Sequence, residues 1–401
     1  MICIAGKNEI AVKATQFLLE KVKKDEVCVL TNATDQGEDG WQPSLLFFAK
    51  EHQLKISSLQ ELYDDENLIF LSLEFDKIIK PSLFKSSKLY NIHFSCLPKY
   101  KGMFTSVMPL LNGEHESGVT LHRIDAGIDT GEIIAQIKFP LSLADNARDL
   151  YQKYLDSSFL LFKNNIDSIL KNKIVSYPQN PVGASYYSRK TIDFSAISVD
   201  FNKTSYEIHN QIRAFCFRDY QLPKFNDNLI YKSELTHQVS AKKTGTIVFE
   251  TEEFVELSTI DYNIKLFKDY YQQFWQASMT GDLISIKKII DLIPDINLRN
   301  KNGWNAIILA TYNHHVDVVM YLLSKGANVN ATNYKGTSVL MYAKDAAIAN
   351  NDYSIISLIL DASANINHTD NTGRTVLDYA KLNDNKDMVH FLMTKGAVYN
   401  D

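Results

Sequence analysis

Cysteine is scarce: the 401 residues hold four, Cys3, Cys28, Cys96 and Cys216. No two of them stand at C-x-x-C spacing, so a structural zinc site lacks its ligand pairs and a disulfide framework has little to build on. That usage fits a reducing cytosol. Positive charge is not in excess either, because 42 Lys and Arg face 47 Asp and Glu and leave a net charge of −5. Such a balance provides no broad basic field for a nucleic-acid backbone. No apolar run approaches the ~18 residues of a membrane-spanning helix, and the start, MICIAGKNEIAVKATQ, turns to charge after a short apolar stretch. The expectation is a soluble, cytoplasmic protein with small-molecule or protein partners, no nucleic acid and no membrane. His115 and His122 have no companions at metal-ligand spacing, so no metal is expected.

What is present is ordered by period. Over residues 1–170, short β-rich runs (ICIAG, EVCVL, LIFLSLEF, LYNIHFS, GVTLHRID, EIIAQIKF) alternate with stretches such as EIAVKATQFLLEKVKK and SLLFFAKEHQL, whose apolar spacing suits helices on a sheet. This predicts an α/β unit with a Rossmann-like open parallel sheet, which binds ligands beyond the carboxyl ends of its strands. Residues 144–170 read as one long amphipathic helix closing that layer. The Pro-, Gly- and Tyr-rich SYPQNPVGASYYSRK then forms a connecting loop able to line a cleft. A domain over 1–190 is followed by a small β-rich lobe over 191–266, marked by KTGTIVFE and EFVELST.

Residues 267–401 repeat themselves. PDINLRNKNGWNAIILA, GANVNATNYKGTSVLMYA and SANINHTDNTGRTVLDYA align with Gly303, Gly336 and Gly373 in register, and each is followed by a second helical run. GTSVLMYA and GRTVLDYA approach G-x-T-P-L-x-x-A with valine for proline, and the array resembles ankyrin repeats, an all-α domain. The unit at Gly336 carries an insertion near residues 346–352. Ankyrin arrays usually bind proteins. Trp304 and Tyr334 occupy corresponding turns, however, and large aromatics at exposed tips suit stacking on a nucleotide base. A second nucleotide site is therefore weighed beside a protein partner.

The chemistry concentrates in NIHFSCLPKYKG. Asn91 and His93 are two apart in a β run, so both side chains leave one face of the strand, which Leu97-Pro98 then ends. Together with DAGIDTG at residues 125–131, this stretch resembles the formyltransferases that use N10-formyltetrahydrofolate, whose pattern is N-x-H-x-S-x-L-P followed by D-x-G-x-D-T-G. The likeness covers roughly the first 260 residues and is strongest to sugar-nucleotide N-formyltransferases, through IAGKNEIAV, LSLEFDKIIKP and KYKGMFTSVMPLLNG.

Formyl transfer to an amine needs a neutral nitrogen, a base for its proton and donors for the tetrahedral oxyanion. His93 is assigned as base and oxyanion partner, Asn91 as oxyanion donor, and Asp129 as the carboxylate that positions His93. Cys96 falls on the opposite strand face from His93 and is no nucleophile candidate; Ser95 is expected to bond backbone locally. The resemblance further implies that Asn8, at a helix start, and Lys77 contact the sugar or diphosphate. It places backbone at Leu71, Leu73 and Phe75 with the side chains of Met103 and Phe104 on the folate side, and Phe217 and Tyr220 of IRAFCFRDYQLP near the base.

The implied reaction is formylation of a dTDP-linked amino-dideoxyglucose, first the 3-amino-3,6-dideoxy sugar, in O-antigen synthesis. Alternatives are the 4-amino isomer, a methionyl-tRNA formyltransferase and a non-catalytic ankyrin scaffold. Analogy suggests a homodimer, with the edges of the β-rich lobe as its contact.

Overall fold

A computed structural model describes residues 1–399. Eight strands belong to the first region: β1 (Ile2–Gly6), β2 (Val27–Thr31), β3 (Lys55–Ile56), β4 (Ile69–Leu73), β5 (Leu89–His93), β6 (Lys101–Gly102), β7 (Glu116–Arg123) and β8 (Ile133–Pro140). All but β6 form one sheet in the order β3-β2-β1-β4-β5-β7-β8. β1 to β5 pair in parallel, as the alternation of strands and helices implies. β7 and β8 depart from the expected parallel sheet, since both ladders they make are antiparallel and the sheet is mixed. For β8 the reason is the connection: residues 124–132 are too few for a crossover, which takes about a dozen, so the chain folds back on β7, whereas residues 94–115 between β5 and β7 impose no such limit.

β1 and β4 are buried along their whole length, as central parallel strands must be. Helices α1 (Asn8–Leu19), α2 (Leu45–Glu51), α3 (Leu59–Leu62), α4 (Met108–Leu111) and α5 (Ala147–Leu170) accompany the sheet. α5 begins three residues later than its apolar pattern suggests. The Asn146 side chain accepts from Arg148 N and Asp149 N while Asp149 returns a bond to Asn146 N, a reciprocal cap that fixes the first turn. Among the described residues no helix is long and apolar enough to cross a membrane.

A two-residue strand, β9 (Tyr186–Tyr187), pairs with β6. The lobe that follows is β-rich with one α-helix. Its sheet, β10 (Lys224–Phe225), β11 (Asn228–Val239), β12 (Ile247–Glu250), β13 (Phe254–Leu257) and β14 (Tyr262–Lys268), runs in the order β10-β11-β14-β13-β12. Helix α6 (Ser205–Phe215) buries Ile208 and Ile212 against Ile230, Leu257 and Ile264 of that sheet.

The chain divides into two compact units, 1–38 with 42–268, and 39–41 with 269–401. In the second, four helix pairs follow: α7 (Tyr271–Thr280) with α8 (Leu283–Ile289), α9 (Ala306–Tyr312) with α10 (Val316–Ser324), α11 (Val339–Asn350) with α12 (Ser354–Asp361), and α13 (Val376–Leu382) with α14 (Lys386–Thr394). Asn305, Ser338 and Thr375 cap α9, α11 and α13. Val339 and Val376 hold the first helical position, where the amide needs no intrahelical partner, so the repeat pattern's proline is dispensable there. The insertion lengthens α11 to 12 residues against 7 in α9 and α13.

Candidate active site

Parity places Asn91 and His93 on one face of β5, and the sheet brings Asp129 to them. Asn91 pairs with His122 across the antiparallel ladder, and the loop after β7 returns Asp129 over the strand end. His93 Nδ1 lies 3.5 Å from Asp129 Oδ2, and Asn91 Nδ2 lies 3.4 Å from Asp129 Oδ1. The three predicted catalytic residues therefore share one centre.

Two details differ from expectation. The bond that orients His93 comes from Nε2–H donating to the Tyr100 carbonyl at 2.8 Å, not from Asp129. Nδ1 consequently carries the lone pair, and protonation there turns the 3.5 Å contact with Asp129 into an ion pair. The second concerns Asn91, whose amide hydrogens are already committed: one to His122 Nε2 at 3.1 Å and one, weakly, to Asp129. His122 can accept because its Nδ1–H is given to the Arg123 carbonyl at 2.7 Å. The hydrogen held at 3.4 Å is the one available to an oxyanion.

Electrostatics set the protonation. Burial lowers the His93 pKa from its ordinary value, with Asp129 and the Tyr100 carbonyl offsetting this only in part, so the ring is neutral near pH 7. Burial works against charge on Asp129 too, yet His93, His122 and the Gly102 N–H hold its carboxyl well below the usual carboxylate range. Asp129 itself sits in the left-handed region at φ 54°, and Gln179 Nε2 clamps that turn by donating to the carbonyls of Asp129 and Gly131 at 2.8 Å each. Asn8 (63°), Glu74 (59°), Tyr100 (59°) and Phe104 (62°) are also left-handed. Strained backbone of this kind gathers where structure serves a function.

His122, Tyr100 and Gln179 were not among the expected site residues. Their partners are reached through strand register or across long loops, and only the reading of SYPQNPVGASYYSRK as a cleft-lining loop pointed toward Gln179.

The remaining predicted residues divide. Leu71 and Leu73 cannot offer backbone to a cofactor, because β4 is paired on both sides, to β1 and to β5, and both side chains are buried. Phe75 lies beyond the ladder but packs on Phe70. Met103 is exposed, and Phe104 stands beside Phe194, ring centroids 5.5 Å apart. Asn8 does not present its amide to an anion: Nδ2 donates to Glu74 Oε2 at 3.2 Å and to Tyr151 Oη at 2.9 Å, and the neighbouring carboxylate would repel a phosphate. Lys77 is exposed on the loop after β4. Phe217 is buried and supports Tyr220, which is 64% exposed.

In the repeats, neither turn aromatic is an exposed tip. Trp304 packs on Tyr312 and Tyr342, with centroids 5.1 and 4.9 Å away, and Tyr334 lies against Gly303 with Arg299 over its ring. Burial lifts the Cys96 thiol to about 11, which keeps it an unreactive thiol, and Ser95 Oγ bonds the Lys99 carbonyl.

A neutral imidazole, a carboxamide and an ionised carboxylate at the carboxyl edge of a sheet are the equipment of acyl transfer to a nitrogen. Residues 16–163 match the family described as formyl transferase, and 274–345 and 345–393 match ankyrin repeats. The chain is 49% identical, with a TM-score of 0.64, to an N-formyltransferase from Helicobacter canadensis solved with folinic acid and dTDP-3-aminofucose, covering 67% of this chain and 99% of that one. It is 50% identical (TM-score 0.63) to WlaRD, a sugar 3N-formyl transferase solved with dTDP and 5-N-formyl-THF, covering 67% and 97%. Methionyl-tRNA formyltransferase of Clostridioides difficile is 27% identical over 220 residues, 54% of this chain and 70% of that one. The chain belongs to the sugar N-formyltransferase family, with ankyrin repeats following the enzyme.

Proposed function

We propose that the protein transfers the formyl group of N10-formyltetrahydrofolate to the C3 amine of dTDP-3-amino-3,6-dideoxyglucose. The observation that carries this is the convergence of Asn91, His93 and Asp129 in a chain half identical to a sugar 3N-formyl transferase. The 4-amino isomer is the lesser reading on that ground. The tRNA reading has 27% identity and a net charge of −5 against it.

His93 receives the proton of the attacking amine at Nδ1, where Asp129 stabilises the resulting imidazolium. Asn91 turns its weakly held hydrogen to the oxyanion that develops as the new C–N bond forms. When the bond to the folate N10 breaks, His93 returns the proton to that leaving nitrogen, so protons balance. Phe104 beside Phe194 suits a flat pterin, with the exposed Met103 as a further apolar contact, and Tyr220 on its Phe217 support suits the thymine. Lys77 suits a diphosphate oxygen. Incubation with N10-formyltetrahydrofolate and each amino isomer, followed by mass spectrometry, tests the reading: formyl addition to the 3-amino sugar is expected, and addition to the 4-amino sugar alone overturns it.

The same reading assigns the product to O-antigen synthesis in the cytoplasm and a homodimer joined through the β-rich lobe, whose edge strand β12 exposes Phe249. A second dTDP-sugar site at Trp304 is retained, formed with the half-exposed Tyr312. Tyr334 drops out of it as a brace for the Gly303 turn.

A further inference from the structure

The acyl-transfer chemistry leaves one half-buried carboxyl unused. Glu74 follows the last residue of β4, and Leu73 is in register with Gly6 on one side and Ile92 on the other, so Glu74 emerges beside His93. Its Oε2 accepts from Asn8 Nδ2 at 3.2 Å and from Tyr151 Oη at 2.9 Å, and Oε1 accepts from the same hydroxyl at 3.0 Å. Its own carbonyl accepts from Asn32 Nδ2 at 2.9 Å. Every hydrogen-bonding partner is neutral, and among the described residues it makes no salt bridge. Beyond it, Tyr151 packs edge-on against Phe217, which supports Tyr220. Strand register thus brings residue 74 level with the base on β5, while its carboxyl is bonded to Tyr151, which leads through Phe217 to Tyr220, the aromatic residues proposed for the nucleotide.

A purely structural group in this position needs only to accept bonds from Asn8 and Tyr151, which a neutral glutamine does without the cost of confining a charge. A carboxylate accepts about four hydrogen bonds, and the shared Tyr151 hydroxyl leaves acceptor capacity. An amino sugar with its nitrogen at His93 carries a hydroxyl on each adjacent ring carbon, one bond further along the ring. We propose that Glu74, held by Tyr151 and Asn8, is the specificity-determining acceptor for a ring hydroxyl vicinal to the reacting amine. This rests on the amino-sugar reading above and deepens it.

Titration supplies a signature. Burial pushes the Glu74 carboxyl up to about 7, against the opposing pull of Tyr151, Lys7 and Asn8. The groups facing it are Lys7 and Asn8 from the β1–α1 turn, Tyr151 from α5, and Tyr220. A hydroxyl donated to Glu74 favours the ionised form, so the pKa falls in the complex, a proton leaves, and binding tightens as pH rises through 7.

The test compares the full chain with its Glu74→Gln and Tyr151→Phe variants on dTDP-3-amino-3,6-dideoxyglucose and its 2-deoxy and 4-deoxy analogues. Wild type is expected to lose about 10- to 100-fold in kcat/KM on one analogue, the range of a hydrogen bond to a charged group. That discrimination collapses in Glu74→Gln. Calorimetry in buffers of different ionisation enthalpy at pH 7 is expected to show about half a proton more released by wild type than by Glu74→Gln, which also cancels protons shed by the amine. Tyr151→Phe keeps the carboxyl and should retain the proton release if Glu74→Gln fails to fold. Formyl transfer with equal discrimination in wild type and a folded Glu74→Gln overturns the role of Glu74, as does absent release in Tyr151→Phe. No transfer by wild type to any sugar overturns the amino-sugar reading instead, and the calorimetry then still judges Glu74.

Discussion

At the scale of residues, burial and a neighbouring carboxylate pull His93 in opposite directions, and burial prevails. Because the base must be neutral to act, kcat should rise with pH through a limb lying below the ordinary histidine value of about 6.5 and then level off. Asp129 raises the His93 pKa, so Asp129→Asn moves that limb further down while lowering kcat about 10²- to 10⁴-fold. A limb that moves up in the pH profile would contradict the pairing. Asn91→Ala should cost about 10²- to 10³-fold in kcat, the range for one oxyanion donor, with KM for the folate little changed. Gln179→Leu removes the two bonds that hold Asp129 in its left-handed turn, and a displaced carboxylate should lower kcat about 10- to 100-fold. The sequence made Asn91 and His93 legible because strand parity is local. It left His122 unread, since its contact with Asn91 depends on which strand lies alongside β5 and in what register. Asn8 was misjudged for a similar reason: its carboxylate neighbour stands 66 residues away.

At the scale of elements, period and punctuation carried most of the fold. The repeats were legible because each turn glycine is demanded by the backbone. Gly303 has φ +83°, and a Cβ there would lie 2.6 Å from the Tyr334 ring and 2.8 Å from its backbone nitrogen. Gly303→Ala should destabilise the repeats by about 1–3 kcal/mol, read as a lower urea midpoint for the repeat transition. The contact also explains why Tyr334 could not be the exposed platform its position implied: the turn before it uses the ring as a wall. The direction of β7 and β8 was less legible, since alternation of apolar residues is the same in parallel and antiparallel strands. The short connection between them carried the direction of β8 against β7, and nothing local carried that of β7 against β5.

At the scale of the whole molecule, the two homologous structures are matched over 99% and 97% of their length by 67% of this chain. The repeats are thus no part of what this chain shares with those two enzymes. The turn aromatics are not spare surface: Trp304 is held by two tyrosines, one of them, Tyr312, 50% exposed, which leaves an aromatic platform on a rigid pair of helices. Stacking on such a platform is indifferent to protonation and to the amino group, whereas the enzyme site reads both. Titration of the full chain with dTDP by calorimetry should therefore reveal two sites, of which Trp304→Ala removes one, and changing pH from 6 to 8 should alter neither occupancy of the repeat site nor its enthalpy appreciably. A single site in wild type, unaffected by Trp304→Ala, would leave the platform to a protein loop, the partner that ankyrin arrays ordinarily take.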